Sequence, residues 1–279
     1  MKIKLIVDSV SDIPKELIAE NNIRVVPLSV NFEDGIYKDG IDLSVEQFFE
    51  KLAKSDKMPT TSQVNPGEFI SVFKEELIEY DILIVLTLSS KLSGTYSAAV
   101  TAKEYMENKN IIVIDSLGVS FGYGMIALEV ANMIKENFSI EEIKKRIDYM
   151  ILNTENIFLF DTLEFLQKGG RLSAAEAFFG TLLKVKPIVS IQDGSLLPLD
   201  KVRGRKKIGK WLVDYLKDNN FDLNGKTIGI YDALDEEFMN ELIEIIKKEY
   251  PNVKFILSKV GSVVGTHSGP KAIGMSFVK

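Results

Sequence analysis

Along the first half of the chain, short runs of β-branched and aliphatic residues alternate with segments whose apolar positions recur at helical spacing. That order predicts α/β layering around a largely parallel sheet. IKLIVDS reads as a buried strand ending at Asp8, and SDIPKELIAEN as a helix opened by Ser11 or Asp12 with Pro14 in its first turn. IRVVPLSVNF reads as one further strand, with hairpin chemistry after it at Glu33, Asp34 and Gly35. SVEQFFEKLAKS has the capping spacing of Ser44 and Gln47 ahead of an apolar face. KMPTTSQVNPGEF reads as a proline-bounded loop that hands over to a helix from about Pro66. DILIVLTLSS is the most continuous apolar run bounded by polar residues, as a central parallel strand requires. KLSGTYSAAVTAKEYM reads as the helix that follows it, and NIIVIDS as the next strand.

The second half is less regular. From Asn156 the pattern suggests a strand, one or two helices, and a hairpin turned at Asp193-Gly194. GKTIGIYDAL and the segment VKFILSKVGSVVGTHSGPKAIGMSFVK read as further strands around a helix from Asp235 to Tyr250. The change of pattern divides the chain into residues 1–156 and 157–279, with no sequence repeat and no low-complexity linker. Charge changes at the same place: residues 1–156 hold 16 Lys+Arg against 25 Asp+Glu, net −9, and residues 157–279 hold 18 against 15, net +3.

Length and composition narrow the class. A chain of 279 residues is long enough for two domains that each bury a core. With 46% hydrophobic and 27% charged residues it has the balance of a soluble globular protein, so disorder is not the default anywhere. The absence of cysteine excludes disulfides and thiolate metal sites, and a cytoplasmic location is expected. The apolar run at the N-terminus is too brief for a signal peptide, and the longest uncharged stretch, Ser116–Leu128, is 13 residues broken by glycine, so membrane insertion is not expected. An overall charge of −6 argues against general nucleic-acid binding.

Three polar clusters interrupt this apolar chain. Thr60-Thr61-Ser62-Gln63 precedes a helix start, where unpaired backbone donors favour an anion, although Ser62 or Asn65 could simply cap that helix. Ser93 and Gly94 follow the DILIVLTLSS strand; Ser93 could cap the next helix, and Gly94 would let a ligand approach the backbone. Ser262, Thr266, His267 and Ser268 form the third, around the single histidine of the sequence. Ser93 and His267 could be nucleophile and base of an acyl ester hydrolase, with Asp161 a candidate third member, but Ser93 lacks the G-x-S-x-G setting. Hydroxyls and imidazole could equally donate hydrogen bonds to a carboxylate without breaking any bond. No G-x-x-x-x-G-K-[ST] run is present, one histidine cannot form a dihistidine metal site, and the acidic residues do not follow a calcium-loop spacing. No metal and no cofactor are therefore expected. Arg171 flanks the Gly169-Gly170 break, and DKVRGRKKIGKW is the densest basic run; three of the five arginines fall at 171, 203 and 205. Arg171, Arg203, Arg205, Lys206 and Lys207 are candidates for docking an acidic protein partner.

With IVDSVSDIP, PTTSQVNPGEF, SSKLSGTYSAA, DTLEFLQKGGRLS and GSVVGTHSGPKAIG in that order, the chain resembles the DegV family of bacterial fatty-acid-binding proteins. The resemblance implies a two-domain α/β fold with a long-chain acyl group buried between the domains. It implies that Thr61, Ser93 and His267 hold the carboxylate, with Ser62, Gly94 and Ser268 beside them, and that the protein is a carrier rather than an enzyme. It further implies a separate fatty acid kinase that would phosphorylate the bound acid, docking at Arg171 and the Arg203–Lys207 patch. Lipid exchange would need at most a transient contact with a membrane surface. Val64 and Lys271 depart from common family residues and touch only local loop geometry. Candidate walls of the acyl site are Ile126, Phe160, Phe165, Leu166, Phe178, Phe179 and Leu183.

Overall fold

The computed structural model describes residues 1–172 and 185–279, so Phe178, Phe179 and Leu183 lie outside the described residues. Four strands, β1 (Ile3–Asp8), β2 (Arg24–Val26), β6 (Ile82–Thr87) and β7 (Ile111–Asp115), form a wholly parallel sheet in the order β2-β1-β6-β7. The two central strands are the continuous apolar runs IKLIVD and ILIVLT, buried along nearly their whole length, as covering both faces of a parallel sheet demands. The chain moves from β1 outward to β2 on one side and to β6 on the other. The crevice at the carboxyl ends of β1 and β6 is therefore the topological switch point of this sheet, the usual place for a ligand. Asp8 ties those ends together: its carboxylate accepts hydrogen bonds from Leu88 N at 2.7 Å, Val10 N at 3.0 Å and Tyr123 Oη at 2.6 Å.

IRVVPLSVNF is not one strand. Pro27 has no N–H to continue the parallel ladder, so β2 ends at Val26 and a new strand, β3 (Ser29–Phe32), leaves for a second sheet. There it pairs antiparallel with β4 (Gly35–Lys38), through the expected hairpin at Glu33-Asp34, and with β5 (Thr60–Ser62). The stretch expected to be a loop thus contains a strand, with Thr61 opposite Val30. SDIPKELIAEN also differs from expectation: Ser9–Ser11 form a 3₁₀ turn, and the helix runs only from Lys15 to Glu20, with Pro14 just outside it. The capping boxes at Ser44/Gln47 and Asn65/Glu68 are both formed, and it is Asn65, not Ser62, that caps Pro66–Glu76.

The third sheet has six strands in the order β10-β9-β8-β13-β11-β12 and is antiparallel except between β11 (Thr227–Asp232) and β12 (Lys254–Lys259). β9 (Val185–Gln192) and β10 (Ser195–Arg203) make the hairpin at Asp193-Gly194, and β13 (Ile273–Val278) is near the C-terminus. Strand period divides β8 (Thr154–Leu159) between two cores: Ile157 and Leu159 pack with helices Ile208–Asp218 and Glu236–Glu249, and Phe158 packs with the core of the parallel sheet. The apolar helix Phe121–Lys135 contacts β1 as well as β11 and β13, so it bridges the two large sheets. No described helix is long and apolar enough to cross a membrane.

Candidate functional site

A cavity of about 360 Å³ opens where the switch point meets the small sheet and the inner face of the six-stranded sheet. That is within the roughly 300–1,000 Å³ of small-molecule sites. Val10 and Leu28 reach it from beside β1, and Leu88, Leu92, Ser93 and Gly94 from the end of β6. Phe158, Phe160, Leu196 and Tyr231 supply an apolar wall from the six-stranded sheet, with Phe158 stacked on Phe160 and edge-on to Tyr231. Of the candidate walls, Phe160 and Leu166 line this cavity. Ile126 is buried in the core and is not among its lining residues. Phe165 instead crowds the Gly269 backbone.

GTHSG, within a segment that reads as further strands, is helical. Ser262–Ser268 is a two-turn helix, and His267 projects from its last turn into the cavity. Its Nε2 lies 2.9 Å from Thr61 Oγ1 on β5, joining residues 206 apart in sequence. On the other side, Nδ1 has no hydrogen-bond partner among the described residues and faces Gly169, where an added Cβ would sit only 2.2 Å away. Gly169 closes the short helix Glu164–Lys168. Burial, reinforced by the nearby Arg171 guanidinium, lowers the imidazole pKa from 6.5 to about 4, so the ring is neutral at pH 7. The cation favoured by a facing carboxylate is thus not the state of the unliganded protein.

Arg171, read from sequence as a surface group, is half-buried in the lining of the same cavity. Its Nη1 donates to Gly169 O at 2.6 Å and its Nε to Leu92 O at 3.3 Å, tying the Gly-Gly turn to the Ser93 loop. Ser93 Oγ is 3.0 Å from Thr95 Oγ1 and accepts from Thr95 N at 3.3 Å while lining the cavity, but Gly94 is the N-cap of helix Thr95–Met106, so Ser93 lies one residue before the cap position expected of it. Space at Gly94 is taken by the Gln63 side chain, whose Oε1 lies 2.0 Å from where a Cβ would be; the glycine admits Gln63 to the wall. Ser62 Oγ accepts from Asn31 Nδ2 at 2.8 Å, and Ser268 Oγ donates to Gly269 O at 3.1 Å; both line the cavity. Thr266 is not a lining residue, because its hydroxyl turns back to Ser262 O.

The structure therefore gathers Thr61, Ser62, Ser93, Gly94, His267 and Ser268 at one cavity and adds Arg171, Gln63 and Tyr231. Arg171 could have been suspected from its place beside Gly169-Gly170, but no periodicity marks Tyr231. Ser93 and His267 are not hydrogen-bonded to each other among the described residues, and Asp161 pairs with Lys186 instead. The basic run at 203–207 lies outside the cavity lining. Arg203, Lys206 and Lys207 are exposed, whereas Arg205 pairs with Asp235 and stacks 4.0 Å over Phe238. Among the described residues no group of three or more His, Asp or Glu side chains could hold a metal ion.

Fold and cavity together define a class: mixed α/β proteins with a largely apolar pocket lined also by hydroxyl, imidazole and guanidinium groups. The chain belongs to the DegV family, whose model, described as that of an uncharacterised protein family, matches residues 2–279. It is 42% identical over 276 residues to a DegV domain-containing protein of Caldanaerobacter subterraneus subsp. tengcongensis, covering 99% of this chain and 98% of that one. A solved structure of a fatty-acid-binding DegV family protein from Thermus thermophilus superposes with a TM-score of 0.94 at 30% identity, covering 100% of both chains. DegV of Bacillus subtilis, solved as a fatty acid binding protein, gives 0.90 at 36% identity, again over 100% of both chains.

Proposed function

We propose that this protein binds one long-chain fatty acid in the cavity, with the carboxylate held by Thr61, Ser93 and His267 and the chain among Phe158, Phe160, Leu166 and Leu196. The observation that carries this reading is the Thr61–His267 contact on the wall of an apolar cavity whose lining includes Arg171. A neutral imidazole that donates through Nε2 to Thr61 Oγ1 leaves the threonine hydroxyl free to donate to a carboxylate, so His267 acts on the ligand through Thr61. Arg171 supplies positive charge beside it. Burying roughly 14–16 methylenes at about 0.8 kcal/mol each gives an upper bound near 11–13 kcal/mol, so apolar enclosure dominates affinity and the polar groups set orientation. The solved relatives described as fatty-acid-binding support the ligand class. Delipidated protein should take up one fatty acid in native mass spectrometry, and Thr61→Ala or His267→Ala should weaken it; absence of stoichiometric uptake refutes the reading.

The same reading makes the protein a cytoplasmic carrier of two domains, 1–156 and 157–279, that presents its acid to a separate ATP-dependent kinase. Gly225-Lys226-Thr227 leads into β11 rather than a helix, so it is no phosphate loop, and the phosphoryl donor would have to be bound by a partner. Arg203, Lys206 and Lys207 are exposed and would meet an acidic surface. A hydrolase is the weaker reading, because His267 is engaged with Thr61 and no carboxylate among the described residues orients its Nδ1.

A further inference from the structure

The two-turn helix that carries His267 is too short to hold itself in place. Its N-terminus is clasped by two carboxylates from the first forty residues. Asp39 Oδ1 accepts from Ser262 N at 2.9 Å and from Ser262 Oγ at 2.5 Å. Asp12 Oδ1 accepts from Gly261 N at 3.0 Å, its Oδ2 from Ser120 Oγ at 2.5 Å, and its backbone carbonyl from Ser258 Oγ. Gly261 fits between them only because it lacks a Cβ, which would lie 2.6 Å from Asp12 Oδ1 and 3.2 Å from Asp39 Oδ1. Both acids are buried, at 8% and 3% exposure, and no salt bridge reaches either among the described residues. A neutral Ser or Asn would cap a helix at far less desolvation cost.

Asp39 and Thr61 are also held by one body. Asp39 directly follows β4, its N–H donates to Leu28 O at 2.9 Å, and Thr61 sits on β5; β4 and β5 both pair with β3. The contacts close a ring: small sheet to Asp39, Asp39 to the helix start, helix to His267, and His267 back to Thr61 on the same sheet. Ser262 and His267 are five positions apart, about 7.5 Å of helix, short enough to act as a rigid arm.

We propose that Asp39, seconded by Asp12, is a positioning residue that aims the His267 imidazole at Thr61. This rests on the reading that His267 serves the acyl carboxylate, but its test does not. The chain has a single histidine, so one imidazole signal set in ¹H–¹⁵N NMR reports the ring of the lipid-free protein directly. Among the described residues the groups facing that ring are the Thr61 hydroxyl and the Arg171 guanidinium, and both stay in each variant whose titration is read.

In the wild type the ring should titrate only near pH 4, in one fixed tautomer. Asp39→Leu should move the midpoint toward the ordinary histidine value of about 6.5 and release the tautomer. Asp39→Asn, which keeps an acceptor for Ser262 N, should restore the wild-type titration. Asp39→Leu should also weaken fatty acid binding about tenfold, and it should add little in a Thr61→Ala background, because the two act through one contact. A purely structural role would lower the melting temperature without moving the titration. A folded Asp39→Leu protein with the wild-type imidazole titration overturns the proposal, and so does an Asp39→Asn protein as perturbed as Asp39→Leu. If Asp39→Leu does not fold, Ser262→Ala decides: it removes the hydroxyl that donates to Asp39, and an unmoved titration overturns the proposal while a shift toward 6.5 supports it. Fatty acid binding unaffected by His267→Ala would refute the proposed carboxylate site and leave these NMR outcomes intact.

Discussion

Gly169→Ala is the sharpest probe of the site, because the backbone there already has φ −78° and ψ −5°, angles that alanine adopts freely. By chain entropy alone the change should add about 0.4–1 kcal/mol to folding stability. Its methyl, however, would lie 2.2 Å from His267 Nδ1 and 3.0 Å from the Phe165 carbonyl oxygen, where ordinary contact starts at 3.4 Å. The imidazole must therefore move by about 1.2 Å. A shift of that size either drives Nε2 into Thr61 Oγ1 or swings it away, and both destroy the 2.9 Å contact. With the imidazole displaced, the Thr61 hydroxyl loses its orientation toward the acyl carboxylate, and hydrogen bonds to a charged group contribute about 1.5–3 kcal/mol. At about 1.4 kcal/mol per decade, the dissociation constant for a long-chain fatty acid should rise roughly 10- to 100-fold. Titration calorimetry or a fluorescent fatty acid displacement assay measures this, with thermal unfolding as the control for folding. A Gly169→Ala protein that binds within twofold of wild type refutes both the slot and its role.

The apolar end gives a separate outcome: Leu196→Phe narrows the cavity and should shift the co-purifying acids toward shorter chains by mass spectrometry, at a folding cost of about 1–3 kcal/mol. In the lipid-free protein His267 takes up its proton near pH 4 when folded and near 6.5 when unfolded, so its contribution to stability is lost as pH falls from 6.5 to 4, by about 3 kcal/mol. Asp8 works the other way in an overlapping window: burial raises it to about 7, so folding takes up a proton there and stability grows as pH falls. His267→Gln should remove only the first effect, so the wild type should lose stability relative to His267→Gln as pH falls from 6.5 to 4, read from the two denaturation midpoints. In the basic run, Arg205→Ala should destabilise folding by about 1 kcal/mol through the lost Asp235 pair and Phe238 stacking. Charge reversal at Arg203 and Lys206 should leave the melting temperature unchanged and weaken binding of an acidic kinase partner in a pull-down.

Much of this protein is written locally. The strands IKLIVD and ILIVLT, the capping boxes at Ser44 and Asn65, and the hairpins at Glu33-Asp34 and Asp193-Gly194 follow from residue type and spacing within a few positions. The three small-polar clusters were likewise visible, because hydroxyls and one imidazole stand out in an apolar α/β chain. Where local signals failed, the missing information was a partner distant in sequence. Thr60–Ser62 has too short a pattern to declare a strand, and it is one only because β3 offers a free edge after Pro27 ends the parallel ladder. VVGTHSGP has the composition of a loop and is helical because Asp12 and Asp39, more than 220 residues away, satisfy its first N–H groups. Arg171 has the composition of a surface charge and is turned inward by two backbone carbonyls, one of them 79 residues distant. Sequence by itself thus determined the elements with strong local patterns and which polar groups were available. Only the tertiary structure decided which way those groups face, because burial, the neutral state of His267 and its contact with Thr61 arise from surfaces that meet after the chain has folded.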